Sequence, residues 1–167
     1  MRRISGSLLS SISTLVLSGC LYGFAGGGLP PGIKTVAVLP FDNLTPEPTL
    51  TQEVQNVVRD AVQGRLGLRQ SGETSADALV RGSIQRYEPD LPVAYQGVQN
   101  NQVDVSRRLV QITVAVEIVN QRTGKTLWQR SGLTLQGDYS PGQEQNGRRK
   151  AYDQLVTNIV EGAQSQW

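Results

Sequence analysis

The sequence predicts an α/β (α+β) sandwich: a four-stranded mixed sheet with two amphipathic helices on one face, in the order β-α-β-β-β-α. Two kinds of observation predict it. Apolar runs of strand length occur at Ile33 to Leu39 and at Val110 to Ile118. Two longer segments, beginning near Leu50 and after Ser140, repeat their apolar residues with the helical period. Two such helices cover one face of the sheet and leave the other face open.

The first strand and the first helix have clear boundaries. The run from Ile33 to Leu39 is almost continuously apolar and ends at Pro40, which is typical of a central strand buried on both faces. A helix is expected from Leu50 to about Leu66, with Thr49 and Gln52 at capping-box spacing. Its apolar stripe consists of Leu50, Val54, Val57, Val58 and Ala61.

Three further strands follow. Ala78 to Tyr87 alternates apolar and polar residues, as a half-buried strand does. The polar stretch from Glu88 to Asp104 contains Pro89 and Pro92 and indicates a long loop. Beyond it lies a strand in which polar and small residues alternate with apolar ones: Gln111, Thr113, Ala115 and Glu117 against Val110, Ile112, Val114, Val116 and Ile118. The segment Thr126 to Leu135 is expected to form a hairpin with this strand.

The last helix is expected to start at Ser140, which is followed by proline at the first helical position and by Gln143 three residues after the cap. Its buried face has the spacing i, i+3, i+4, i+7, i+8, i+11. The residues on this face are Tyr152, Leu155, Val156, Ile159, Val160 and Ala163.

The N-terminus carries the pattern of a lipoprotein signal. Arg2 and Arg3 precede an apolar segment that ends at Leu17, too short and too rich in serine to span a bilayer. After Ser18 and Gly19 comes Cys20, the single cysteine of the chain. This resembles the bacterial lipobox, in which the cysteine is acylated (palmitate is one such chain) and becomes the first residue after cleavage. An ordinary signal peptide with a stray cysteine is the alternative.

We therefore expect a signal peptide at residues 1–19, lipidated Cys20 with a glycine- and proline-rich tether at residues 20–32, and one domain at residues 33–167. The 12 residues from Leu21 to Gly32 reach at most about 40 Å, so the domain stays near its membrane. Cleavage removes Arg2 and Arg3 and leaves 14 basic and 14 acidic residues. Such a neutral domain has no electrostatic footprint for nucleic acid.

The residue inventory argues against an enzyme or a metalloprotein. The chain has no histidine, and lipidation of Cys20 leaves no free thiol. The commonest general base, metal ligand and strong nucleophile are therefore absent, and zinc sites of Cys and His are excluded. We expect no catalytic residues, no metal and no cofactor beyond the covalent lipid.

Five residues are candidates for binding a ligand or a partner. Arg107 and Arg108 open the long strand, and Lys125 and Arg130 lie on or near the hairpin; together they suit phosphate or carboxylate groups, although protection of an edge strand is the simpler role. Trp128 alternates with Arg130, so both are expected on the open face of the sheet. Arg107, Arg108 and Lys125 are expected to form one contact cluster.

Taken together, these segments resemble the LptE family of lipopolysaccharide-assembly lipoproteins. The resemblance covers the Cys20 motif and its tether, Leu29 to Val38, Phe41 to Pro48, the hairpin Thr123 to Trp128, and the end of the last helix before Trp167. It implies an α/β sandwich anchored on the periplasmic side of the outer membrane. Such a protein plugs, and helps to fold, the large LptD-like β-barrel that exports lipopolysaccharide. Whether lipopolysaccharide itself is bound stays open.

The segment Val36 to Thr45 also looks like lipoproteins of the curli-secretion-channel type and activators of peptidoglycan synthases, which would make the chain an assembly or interaction module of another kind. The activators need a long linker to cross the periplasm, and the secretion-channel proteins carry extra membrane-spanning hairpins. This chain has a tether of 12 residues and no spare alternating apolar segments. These differences favour the LptE-like interpretation.

Overall fold

The computed structural model describes residues 29–99 and 102–165. The expected signal peptide, Cys20, most of the tether and Trp167 lie outside these residues. Six strands and two helices follow one another along the chain: β1 (Thr35–Val38), β2 (Asp42–Asn43), α1 (Thr49–Gly64), β3 (Arg69–Gln70), β4 (Ala78–Gln99), β5 (Gln102–Asn120), β6 (Thr126–Tyr139) and α2 (Glu144–Gln164).

The strands form one mixed sheet in the order β3-β1-β4-β5-β6, with β2 beside β4. β1 pairs in parallel with β3 and β4, whereas β4, β5 and β6 are antiparallel. The predicted mixed sheet with two helices is confirmed, and the two-residue strands β2 and β3 add to the four strands that the sequence predicts.

The hydrophobic core lies between the sheet and the two helices. The side chains of Val114 in β5 and Ile159 in α2 are fully buried, as is Leu50 in α1. α1 packs against β1 and β2, α2 packs against β5 and β6, and the helices contact each other. Both helices therefore lie on one face of the sheet, as the two apolar stripes predict.

The expected loop from Glu88 to Asp104 is wrong, because β4 and β5 continue through most of it as a two-stranded antiparallel ribbon. Beyond Ile84, β4 has no neighbour on its other side among the described strands. Proline is tolerated on such an edge, and register shifts occur between Glu88 and Leu91 and between Pro92 and Ala94. Pro89 and Pro92 therefore lie in a strand, although prolines in a polar stretch predict a loop.

The helix starts also differ from the sequence-based expectation. α2 begins at Glu144, because Ser140–Gly142 form a turn in which Gln143 N–H donates to the Ser140 carbonyl and Gly142 has φ +82°. α1 begins at Thr49, but its side chain does not cap the helix. The Glu47 carboxylate accepts instead from the Thr49 hydroxyl (2.7 Å) and its N–H (3.3 Å).

Candidate interaction surface

The sheet face opposite the helices is uncovered within the described part of the chain and is polar. In β5, Ile112, Val114 and Val116 turn into the core, so the alternate residues Gln111, Thr113 and Glu117 lie on the open face and are half-buried. The open positions of Gln111 and Thr113 agree with the alternation in the sequence.

Side chains on this face hydrogen-bond across the strands. Gln136 Nε2 donates to Gln111 Oε1 (2.7 Å), and Gln111 Nε2 donates to Glu88 Oε2 (3.0 Å), which links β6, β5 and β4. Glu117 accepts from the Thr126 hydroxyl (2.7 Å) and from Arg81 Nε (2.9 Å). These two partners, the hydroxyl first, lower the pKa of Glu117. The open face is therefore a preordered polar surface that stays charged at neutral pH.

A groove of about 490 Å³ crosses this surface. Small side chains, Ser83 and Ala115 among them, leave room at its centre, and charged residues of both signs lie around them. Arg130 is exposed and has no hydrogen bond or ion pair to any described residue. Mixed charge and wide opening suit a protein surface or an extended segment better than a small anion. The residues lining it are Leu39, Pro40, Asp42, Arg81, Gly82, Ser83, Ala115, Val116, Glu117, Gln129, Arg130 and Ser131.

The expected cluster of Arg107, Arg108 and Lys125 is not formed. Arg107 pairs with Asp138 and Arg108 with Asp90 near the end of β6, where Arg108 lies opposite Tyr139. Lys125 precedes β6 at the opposite end of β5, about 35 Å away along the strand. The sequence does not show that Arg108 and Lys125 are far apart, because their separation depends on how far the long strand β5 extends between them.

Trp128 is not on the open face, so its expected exposure is wrong. Its side chain is 4% exposed and belongs to the core, as does that of Leu127. The register shifts by one residue between the Ile118–Trp128 and Val119–Thr126 pairs, so strict alternation fails there. Trp128 consequently packs under α2, where a Cβ added to Gly162 would lie 2.0 Å from its Nε1.

Asp77 joins three parts of the chain, a role that no motif in the sequence predicts. Its Oδ2 accepts from the backbone N–H groups of Lys34 and Thr35 (3.0 Å each) and from the Thr35 hydroxyl (2.9 Å), while its Oδ1 pairs with Arg122. The Lys34 N–H, the Thr35 hydroxyl and N–H, and the Arg122 charge lower the pKa of Asp77 to about 2, against the opposing effect of burial. The sequence signal was only an aspartate directly before an apolar strand.

A second polar cluster lies where β4 meets both helices. Arg148 Nη1 donates to Glu144 (2.7 Å) and to the Tyr87 hydroxyl (3.2 Å), and Tyr87 donates to Glu144. Glu53 of α1 accepts from the Tyr152 hydroxyl (2.6 Å), and Arg148 Nε lies 3.3 Å from the same oxygen without the alignment of a hydrogen bond.

Burial, reinforced by Glu144, raises the pKa of Tyr87 to about 12. Burial and Glu53 raise the pKa of Tyr152 further. Both phenols thus stay protonated at neutral pH, and the cluster holds elements together without transferring protons. The sequence holds one signal for this cluster. Tyr152 lies on the predicted buried face of the last helix, and a buried tyrosine needs a hydrogen-bond partner for its hydroxyl.

The described residues offer neither a metal site nor a membrane-spanning helix. No group of three or more Asp, Glu, Cys or His side chains within residues 29–99 and 102–165 is arranged to hold a metal ion. In the same residues, neither helix is both long and apolar enough to cross a membrane.

Comparison with known proteins gives a family and a fold. The model of the LptE family, described as lipopolysaccharide-assembly, matches residues 33–162. No curated protein matches the chain.

Among solved structures, two PelC dodecamers from Paraburkholderia phytofirmans are similar in fold. One has a TM-score of 0.52 at 14% identity, covering 83% of this chain and 95% of that one. The other, a point variant of the same protein, has a TM-score of 0.50 at 13% identity, covering 84% of this chain and 92% of that one.

Proposed function

Because the chain belongs to the LptE family of lipopolysaccharide-assembly proteins, we propose that it is an outer-membrane lipoprotein that plugs a large β-barrel translocon, assists its assembly and so takes part in lipopolysaccharide export. The partner is then an LptD-like barrel, and the protein is held on the periplasmic side of the outer membrane by lipid on Cys20. Lipopolysaccharide is a further candidate ligand of the assembled complex.

One observation carries the proposal beyond family membership: a broad sheet face without a covering layer in the described part of the chain. Hydrogen bonds through Gln136, Gln111 and Glu88 already order the polar side chains of this face. Binding a partner therefore costs little further side-chain entropy. The lumen wall of a large outer-membrane barrel is polar as well. Such a wall matches this face better than an apolar layer would.

The chemistry of the chain supports a binding role over catalysis. The sequence has no histidine and one cysteine, which the lipid occupies in this proposal. The most strongly perturbed groups, Asp77, Tyr87 and Tyr152, are held in single protonation states by structural contacts. We therefore infer that the protein acts by occupying its partner and not by turning over a substrate.

The direct test is affinity purification of the lipidated protein after mild detergent extraction, with identification of co-purifying outer-membrane proteins. Recovery of one large barrel in near-stoichiometric amount is the expected result. Recovery of no barrel from wild-type protein would refute the proposal, and recovery of a periplasmic synthase would support the activator-like alternative.

A matched pair of substitutions tests the open face. Thr113→Glu places a charge on that face, beside Arg86, whereas Thr157→Glu places the same charge on the exposed side of α2. We expect Thr113→Glu to reduce the recovered barrel about tenfold, as loss of a central interface contact does, and Thr157→Glu to leave it unchanged. Equal recovery with both variants would exclude the open face as the contact surface. Circular dichroism checks that both variants fold.

A further inference from the structure

Five segments of the chain meet at the end of the domain where β1 begins, which we call the entry end. β1, β3 and β4 start there, β5 ends and β6 starts there, and both helices end there. The entry end is therefore assembled from parts of the chain that are far apart in sequence. Its segments are residues 29–35, 63–70, 76–78, 119–126 and 161–165.

The entry end carries an excess of positive charge. Its five cations are exposed, and its two acidic residues leave a net charge of +3. Residues 20–167 as a whole contain 14 basic and 14 acidic residues, so the excess is a local asymmetry of a neutral chain. The cations are Lys34, Arg65, Arg69, Arg122 and Lys125, and the acidic residues are Asp77 and Glu161.

Two of these cations have no structural role within the described part of the chain. The side chains of Lys34, Arg65 and Arg69 form no ion pair with any residue that the structure describes. Arg65 lies at the C-cap of α1, where a cation offsets the helix dipole. By contrast, Arg107 and Arg108, far from the entry end, each pair with an aspartate. The charges of Lys34 and Arg69 are therefore available to a partner.

A groove of about 420 Å³ lies between Lys34 and Arg69. The two residues are held side by side, because the Arg69 N–H donates to the Lys34 carbonyl (3.0 Å). Half-buried Leu29, Ile33 and Leu66 supply the apolar lining. Cations beside an apolar lining suit a phospholipid headgroup, since its phosphate can contact the cations and its glycerol carbons can contact the apolar side chains.

We propose that the entry end docks on a bilayer surface that contains anionic phospholipid, with Lys34 and Arg69 at the headgroup phosphates. The inference rests on the lipid anchor of the proposed function and adds which surface of the domain faces the membrane. A patch of this kind supplies the second signal that stable membrane attachment needs besides an acyl chain.

The length of the tether supports this orientation. Leu29 lines the groove, so the chain that comes from Cys20 reaches the domain at the groove itself. Nine residue spacings separate Cys20 from Leu29, and they reach at most about 30 Å. A turn in which the Ile33 N–H donates to the Pro30 carbonyl (3.1 Å) follows directly. The anchor therefore confines the entry end near the headgroups, which raises their effective concentration at the patch.

A dissolved phosphate is a poorer ligand for this surface than a membrane. Lys34 and Arg69 are exposed, so salt and water weaken their attraction for a single small anion. A charged bilayer presents many phosphates at once, and each lysine or arginine near it favours the bound state about fivefold.

Quenching by nitroxide lipids in vesicles tests the proposal. A cysteine replaces Gln63, exposed in the last turn of α1 at the entry end, and carries a fluorophore. In the control the cysteine replaces Gln145, exposed in the first turn of α2. The lipidated protein is reconstituted in phosphatidylcholine vesicles with headgroup nitroxides, with or without phosphatidylglycerol. We expect phosphatidylglycerol to increase quenching at position 63 and to leave position 145 unchanged.

A matched pair of double variants identifies the charges. Lys34→Gln with Arg69→Gln removes both cations of the groove, whereas Arg149→Gln with Lys150→Gln removes two cations about 20 Å away along α2. We expect the first variant to lower the ratio of docked to undocked protein about 25-fold, about fivefold for each charge, and the second to match wild type. Circular dichroism checks that both variants fold.

Three results would overturn the docking surface. The first is equal quenching of wild type at position 63 with and without phosphatidylglycerol. The second is unchanged quenching in the Lys34→Gln, Arg69→Gln variant. The third is loss of the wild-type signal to inorganic phosphate but not to sodium chloride of equal ionic strength, which would indicate a site for the free anion.

Failure of the proposed function gives a different result. Absence of lipid on Cys20, measured by mass spectrometry, would overturn the anchor and the docking surface together. Failure to recover a barrel, with quenching at position 63 as expected, would overturn the translocon partner and leave the docking surface standing.

Discussion

At the scale of single residues, Asp77 shows how one carboxylate organises the edge of a domain. It satisfies two backbone N–H groups at the entry to β1 and, through Arg122, holds the turn between β5 and β6. The Thr35 hydroxyl returns the contact by accepting from the Asp77 N–H (2.9 Å). The point where the tether enters the domain is therefore fixed by charge-assisted hydrogen bonds.

The lowered pKa of Asp77 predicts how stability depends on pH. In the folded protein this pKa is about 2, below the value of about 3.9 in an unfolded chain. The contribution of Asp77 to the free energy of unfolding is therefore complete above about pH 4. It is lost progressively as the pH falls towards 2, because the carboxyl takes up its proton first in the unfolded state.

We expect Asp77→Asn to lower the urea midpoint at neutral pH and the difference from wild type to shrink between about pH 4 and pH 2. Urea unfolding at a series of pH values measures it. Asp153→Asn, on the exposed side of α2, is the control and changes little. A difference for Asp77→Asn that is independent of pH would contradict the assignment.

At the scale of elements, glycines determine how closely α2 approaches β6. A Cβ on Gly137 would lie 1.8 Å from the Gly147 carbonyl oxygen, so helix and strand backbones are in direct contact there. Side chains of α2 also satisfy backbone groups along the edge of β6. The Gln154 amide donates to the Gln136 carbonyl and accepts from the Gln136 N–H, and Lys150 donates to the Asp138 carbonyl. The outer edge of β6 is thus closed to further strands around these positions.

Two glycine-to-alanine substitutions in helices are expected to act in opposite directions. Gly162→Ala forces α2 away from Trp128, and overpacking of this kind costs about 1–3 kcal/mol, more than the gain in helix propensity returns. Gly64→Ala, at the end of α1, meets nothing within 4 Å and stabilises by about 0.4–1 kcal/mol. Urea unfolding distinguishes them, and a Gly162→Ala variant as stable as wild type would mean that α2 is not seated on Trp128.

At the scale of the whole molecule, the domain presents its helices on one side, a polar sheet face on the other and a ribbon at one end. The described chain enters the domain at β1, beside the start of β4, so this entry point and the outer end of the ribbon lie at opposite ends of the longest strand.

Cys20 is predicted to carry the anchor. One acyl chain binds a membrane marginally, whereas several chains, at about 0.8 kcal/mol per buried methylene, hold a protein firmly. We expect Cys20→Ala to abolish incorporation of labelled palmitate and to move the protein out of the membrane fraction. Ser18→Ala keeps a small residue in the motif and serves as the control. Palmitate incorporation by Cys20→Ala would refute the lipobox assignment.

Sequence patterns failed at two particular places for physical reasons. Pro89 and Pro92 indicated a loop, but proline is compatible with a strand whose other edge is free and whose register shifts beside it. Strict alternation predicts Trp128 on the open face, but one extra residue in β6 turns its side chain into the core. Neither the pairing partner of a strand nor a bulge can be read from one strand alone.

The sequence by itself determined the order of the main elements, the alternating faces of β5 and the family, because each depends on local periodicity or on short motifs. It also determined most of the buried stripes of α1 and α2, although Val57, Val156 and Val160 at the margins of these stripes are only half-buried. Tertiary structure alone decided the length of the β4–β5 ribbon, the separation of Arg108 from Lys125 and the two polar clusters around Asp77 and Arg148. Those features join residues that are tens of positions apart, and only the folded backbone brings such residues into contact.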